Sequence, residues 1–205
     1  IISLLDWTEK RSVACMGNLV DESGHPFVRV LVLSGDGRHF CAGADINMMR
    51  DAGAKSPEEN RIDSERLDRL FNTLWAHPCF TIGVVQGVAL GGGAGLVACL
   101  DHVIVEPRTR IALSEGKLGI LPAVIGPYVY RRVGPSQFRR LAMLAGRIDA
   151  EEALRIGMVD QAEESPEAAH EALSAVIDEV LTSGPMAVAE AKQLTLVFDR
   201  WTGTD

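Results

Sequence analysis

The sequence predicts an α/β fold in one compact domain, with strand and helix alternating to about residue 120 and helices alone beyond it. Three observations carry that prediction. Short β-branched apolar runs end at glycine turns, as strands buried on both faces do. Capping signals open long amphipathic segments between and after those runs. The final third has helical spacing and no strand-like run.

In chain order, Val28–Leu33 is the first strand, closed by Ser34-Gly-Asp-Gly37. Ser56-Pro-Glu-Glu59 is a capping box with Pro at the first helical position. It opens a helix whose Leu67, Leu70, Phe71, Leu74 and Trp75 share one face, and His77-Pro78 ends it. Phe80–Val85 is a second strand, and His102–Val105 and Arg110–Leu113 a third and fourth. Asp149-Ala-Glu-Glu152 reads as another capping box. Leu173, Val176, Ile177, Val180 and Leu181 repeat the helical spacing, and Gly184-Pro185 starts a last helix toward Trp201. The division expected is 1–134 for the alternating core and 135–205 for the helical remainder.

A formal charge of −8 argues against nucleic acid as a partner, which calls for a basic face. Arginine outnumbers lysine sixteen to four, so an anion clamp in this chain is expected to be guanidinium. Cys15, Cys41, Cys79 and Cys99 are widely spaced, with neither metal-site nor disulfide pattern, and are expected to be free thiols in a reducing, cytoplasmic setting. No metal site is expected. The first residues lack the basic start and long apolar core of a signal peptide and lack an initiator Met, as a fragment of a longer chain would.

Gln86-Gly-Val-Ala-Leu-Gly-Gly-Gly-Ala-Gly-Leu96 asks for a special explanation, because glycine weakens helix and strand alike. A membrane helix is one reading. Thr81–Leu100 is uncharged, and Gly83, Gly87, Gly91 and Gly95 are four apart. Orienting basic flanks are missing, however, since no Lys or Arg lies between Arg69 and Arg108. A nucleotide loop is a second reading, but neither G-x-G-x-x-G nor a P-loop is completed. The third is a strand ending near Gly87, a glycine turn, and a helix through Leu100 whose first N–H groups face a ligand oxygen. Phe40-Cys-Ala-Gly-Ala-Asp-Ile46 repeats that design, with Asp45 placed to cap a short helix through Met49.

Cys41-Ala-Gly-Ala-Asp-Ile46, Gln86-Gly-Val-Ala-Leu-Gly-Gly-Gly93 and Ser114-Glu-Gly-Lys-Leu-Gly-Ile-Leu-Pro122, in that order, resemble the crotonase (enoyl-CoA hydratase/isomerase) superfamily from about Val28 to Trp201. The resemblance implies a spiral of ββα units followed by a helical region that trimerises, giving a homotrimer or homohexamer. Ala187, Ala189 and Ala191 would suit helix contacts there. The family's N-terminal hairpin is not evident. The implied substrate is an acyl-CoA thioester, with no metal or redox cofactor. Its thioester oxygen would lie between the backbone N–H groups of Ala44 and Gly92, with Glu115 as acid/base. Ala42, Asp45, Ile46, Gly91, Gly95, Leu118 and Pro122 would line the substrate.

Two departures qualify the resemblance. Gly95 stands where many two-carboxylate hydratases carry a second Glu, and Ala123 where some relatives carry an aspartate. A double-bond isomerase, which can work with one carboxylate, is therefore the alternative to a hydratase, and a silent acyl-CoA-binding homologue is the non-enzymatic one. Pro122-Ala-Val-Ile-Gly-Pro127 is similar to glutaconyl-CoA-type hydratases. That suggests a branched acyl chain in the room left at Gly95, its carboxylate paired with Arg131 or Arg132.

Overall fold

The architecture is that of a computed structural model, which describes residues 28–43 and 55–198. Ala44, Asp45 and Ile46, the short helix expected after them, Cys15 and Trp201 lie outside the described residues.

Four strands form a parallel sheet: β1 (Val30–Ser34), β2 (Phe80–Val85), β4 (His102–Val105) and β6 (Gln161–Ala162), in the order β1-β2-β4-β6. Val30 faces Phe80 and Ile82 faces His102 across the ladders. Both faces of β2 and β4 are covered, which is why their sequences are apolar without alternation. The two-residue period still decides which core each side chain joins. Val85, Val103 and Val105 pack with Phe71, Leu74, Leu96, Val97 and Leu100. Ile82, Val84 and Ile104 instead meet Ala169, Leu173, Val176 and Ile177.

The first of these layers is made by α1 (Pro57–Trp75) and α2 (Gly92–Cys99), the second by α5 (Pro166–Thr182). The predicted capping box of α1 is present in both directions: Glu59 N–H donates to Ser56 Oγ, and Ser56 N–H donates to Glu59 Oε2 at 2.8 Å. Gly83 allows the close approach of the sheet to α2, since a β-carbon there would lie 2.6 Å from Leu100 Cδ1. α3 (Gly126–Leu144) bends at Gly134, beside Pro135. It is followed by α4 (Ala150–Arg155) and, after α5, by α6 (Pro185–Phe198).

The structure corrects the sequence reading in four places. Strand does not pass directly into helix at the glycine run, because β3 (Val88–Leu90) intervenes and pairs in parallel with β5 (Arg110–Ala112) in a second sheet. Strands do not end at residue 120, since β6 joins β4. The Asp149 box is one-sided: Asp149 accepts from Glu152 N–H, but the Glu152 carboxylate pairs with Arg140 and Arg155. The uncharged stretch Thr81–Leu100 is β2, β3 and α2 in succession. Among the described residues no single helix is long and apolar enough to cross a membrane.

Candidate active site

The site forms where β3 and β5 end side by side. Gly91 follows β3 directly, and its N–H donates to Ala112 O at 2.9 Å, closing the second sheet. Its φ of 52° and ψ of −118° suit only glycine without strain. It is the N-cap of α2 with no side-chain cap, so the N–H groups of the first turn have no intrahelical acceptor and point out of the helix end.

Each glycine of the run meets different neighbours. At Gly91 a β-carbon would stand 3.1 Å from Glu115 Oε1 and 3.4 Å from Ser114 Oγ. At Gly92 the nearest neighbour would be Phe71 Cζ at 3.8 Å, an ordinary contact, so packing there does not demand glycine. At Gly93 a β-carbon would strike Cys41 O at 2.4 Å. That last contact brings the Cys41–Gly43 stretch against α2. Cys41 N–H donates to Val88 O at 3.0 Å and Leu90 N–H to Cys41 O at 2.9 Å, so this stretch runs beside β3. Gly43, at φ 101°, has Leu90 O 3.2 Å from its β-carbon position. The chain leading to Ala44 therefore passes next to Gly91, while Ala44 itself is outside the described residues.

Glu115 sits in a three-ten turn, Ser114–Leu118, rather than at the end of a strand. The turn is mostly exposed, yet the carboxyl reaches inward: Oε2 is buried and, among the described residues, without a hydrogen-bond partner. Of its expected apolar flanks, Leu113 is buried and Leu118 is 56% exposed. Burial raises the carboxyl above the ordinary Glu value of 4.5, and a hydrogen bond from its own backbone N–H partly opposes that. A carboxyl so placed keeps its proton more readily than a solvated one, which suits a group that must accept a proton and return it.

Several expectations fare differently. Ala42 is exposed, and Pro122 is buried with its carbonyl accepting from Gly126 N–H at 2.8 Å, which starts α3. Gly95 leaves no room. A β-carbon there would lie 2.3 Å from Ile125 Cγ2 and 3.0 Å from Phe71 Cε1, so those side chains already occupy the space proposed for a branched acyl chain. Arg132 is no acyl clamp either. It donates to Leu100 O at 2.6 Å and Met158 O at 3.0 Å and pairs with Asp160, tying the end of α2 to the chain after α4. Arg131 lies over the Trp75 ring at 6.0 Å. Ser114 is the site residue that sequence reading passed over, although it stands in the quoted Ser114-Glu115 pair.

Residues 13–197 match the enoyl-CoA hydratase/isomerase family. The chain belongs to that family. It is 33% identical over 180 residues to a Thermus thermophilus relative, covering 88% of this chain and 71% of that one. It is also 33% identical over 169 residues to the crotonyl-CoA hydratase of Syntrophomonas wolfei, covering 82% of this chain but 64% of that protein. The crystal structure of an enoyl-CoA hydratase from Shewanella pealeana superposes with a TM-score of 0.85 at 34% identity, covering 97% of this chain and 69% of that one.

Proposed function

We propose that the protein hydrates a 2-enoyl-CoA thioester, with Glu115 moving the proton and the N–H groups of Gly92 and Ala44 holding the thioester oxygen. The observation that carries this is the convergence at Gly91: a buried carboxyl oxygen of Glu115, unpartnered among the described residues, belongs to the same side chain that borders the uncapped N-terminus of α2. Water adds to the β-carbon and gives a proton to Glu115. The π pair moves toward the thioester oxygen, where two fixed N–H donors stabilise the enolate. Glu115 then returns the proton to the α-carbon. Removing one such donor typically costs about 10²–10³ in rate, which is the scale of what the glycine run contributes. This chemistry uses the coenzyme A thioester as substrate and calls on no metal or redox cofactor.

Crotonyl-CoA is the simplest substrate to test, and the Syntrophomonas relative bears that name. Glu115→Gln is expected to lower turnover at least ~10³-fold, because it removes the only acid/base assigned to the reaction. Unchanged turnover would exclude the mechanism, and acyl-CoA binding without any turnover in the unmodified protein would favour the silent homologue. Rates on methylglutaconyl-CoA and crotonyl-CoA, measured side by side, decide the acyl preference.

One observation favours a second reading. Position 95 cannot carry a second carboxylate against Ile125 and Phe71, and one carboxylate suffices to shift a double bond. In deuterated water, hydration yields a 3-hydroxyacyl product and isomerisation a moved double bond without added water. Self-association is also part of the proposal, because Leu118, Leu121, Met143 and Leu144 expose apolar side chains around the turn that carries Glu115.

A further inference from the structure

We infer that the Ser114 hydroxyl positions the attacking water against Glu115, supplying the second hold on that water which position 95 cannot. The inference rests on the hydratase reading above and assigns a residue to it.

A water molecule that must attack a carbon in a fixed direction needs more than one polar anchor. Glu115 provides one, because a carboxylate accepts a hydrogen bond and then the proton. A second Glu reaching in from α2 would be the obvious other anchor, but Gly95 has none, and Ile125 and Phe71 fill that volume. The other side chain that closely borders Gly91 is Ser114. Its Oγ lies 3.4 Å from the position of an absent Gly91 β-carbon, and Glu115 Oε1 lies 3.1 Å from the same point. Both oxygens therefore lie close to Gly91, at the uncapped end of α2.

Among the described residues the fold makes no other use of this hydroxyl. The three-ten turn has no side-chain capping hydrogen bond, and Ser114 Oγ has no partner among the described residues. A half-buried hydroxyl with nothing to bind is normally completed by water. In the arrangement inferred, one water hydrogen bonds to Glu115 and the other to Ser114 Oγ. An oxygen lone pair is then left to face the β-carbon. The C–O bond forms as the first hydrogen passes to Glu115, and the second stays on the product hydroxyl. Ser114 is thus a positioning residue that neither gains nor loses a proton.

Two activities separate this role from a structural one. Hydration of crotonyl-CoA needs the water. Exchange of the α-hydrogens of butyryl-CoA with deuterated solvent needs Glu115 and the thioester oxygen donors but no attacking water. Ser114→Ala is expected to lower hydration kcat about 10- to 100-fold, with KM and α-exchange held within about threefold. Ser114→Thr, which keeps a hydroxyl, is expected to recover most of the loss, and Glu115→Gln is expected to abolish both activities. Full hydration by Ser114→Ala, or a parallel fall in α-exchange, overturns the inference and leaves the hydratase reading standing. An unmodified protein that exchanges α-hydrogens but never hydrates overturns both.

Discussion

At the scale of single residues, the site depends on a carboxyl held in poor solvation and a glycine that nothing else can replace. Burial raises the Glu115 carboxyl, so the folded chain binds that proton more tightly than the unfolded chain does. The resulting stability is fully present below the ordinary value of 4.5 and is lost as pH rises through the raised folded value. Glu115→Gln is therefore expected to melt at a higher temperature than the unmodified protein at about pH 8 and at an equal one at about pH 4, read by thermal unfolding. The same shift places the acid limb of kcat/KM above 4.5, because the base form must exist in the free enzyme. Equal melting temperatures at both pH values would mean that the carboxyl is solvated. Gly91→Ala tests the neighbouring constraint. It forces a side chain into a backbone region that costs about 1–3 kcal/mol and presses a methyl on Glu115 Oε1. Turnover should fall by ~10² or more while acyl-CoA still binds. Of these features the sequence displayed Glu115 and the need for glycine, because motif spacing preserves both. It could not display which glycine meets the carboxylate, since Gly91, Gly92 and Gly93 are identical until three different neighbours surround them.

Elements were legible in proportion to their length and local signals. β2 and β4 match the sequence reading residue for residue, and α1 begins at its capping box. β3 and β6, of three and two residues, were not legible, because each exists only through partners distant in the chain: Arg110–Ala112 for one, Ile104–Val105 for the other. The packing of α2 was hidden for the same reason. Gly95 suggests open space when read alone. In the fold it is the groove into which Ile125, at the start of α3, inserts beside Phe71. The glutaconyl-like Pro-Ala-Val-Ile-Gly-Pro segment thus delivers the side chain that fills the room it was taken to imply. Gly95→Glu should consequently destabilise the protein by more than the ~1–3 kcal/mol typical of overpacking, since it also buries a charge, and should not raise hydration. Adding Ile125→Ala should recover part of the lost melting temperature. A stable, faster Gly95→Glu variant would show that α2 and α3 separate readily.

At the scale of the whole molecule, the question is what keeps the helical region on the strand core. The turn carrying Glu115 packs on the end of α3, where a Gly116 β-carbon would meet Ala145 Cβ at 3.3 Å, and apolar Leu121, Met143 and Leu144 stand 82%, 76% and 68% exposed nearby. Light scattering is expected to give a mass of three or six chains, and Leu121→Glu with Leu144→Glu to lower it. The last helix is held differently. Within the chain, Ala187 and Ala191 of α6 are exposed and Ala189 is buried, so only Ala189 packs on the core. Lys192 contributes more. Its Nζ donates to His77 O at 2.7 Å and Cys79 O at 2.8 Å and meets Asp101 Oδ2 at 2.5 Å, with 9% of the side chain exposed. Asp101 Oδ2 in turn accepts from Thr81 N–H and Oγ1, so one ammonium group bridges α6, the turn before β2 and the turn before β4. Removing one member of a buried pair typically costs about 3–5 kcal/mol, because the other charge stays behind unpaired. Lys192→Met keeps the stem and deletes the charge. It is expected to lower the melting temperature by roughly 6–20 °C and to make α6 the first site of proteolytic cleavage, with Glu115-dependent turnover per folded molecule unchanged. If Lys192→Met melts with the unmodified protein and α6 resists cleavage as before, the helix is held by apolar contact alone and the buried ammonium has no part in anchoring it.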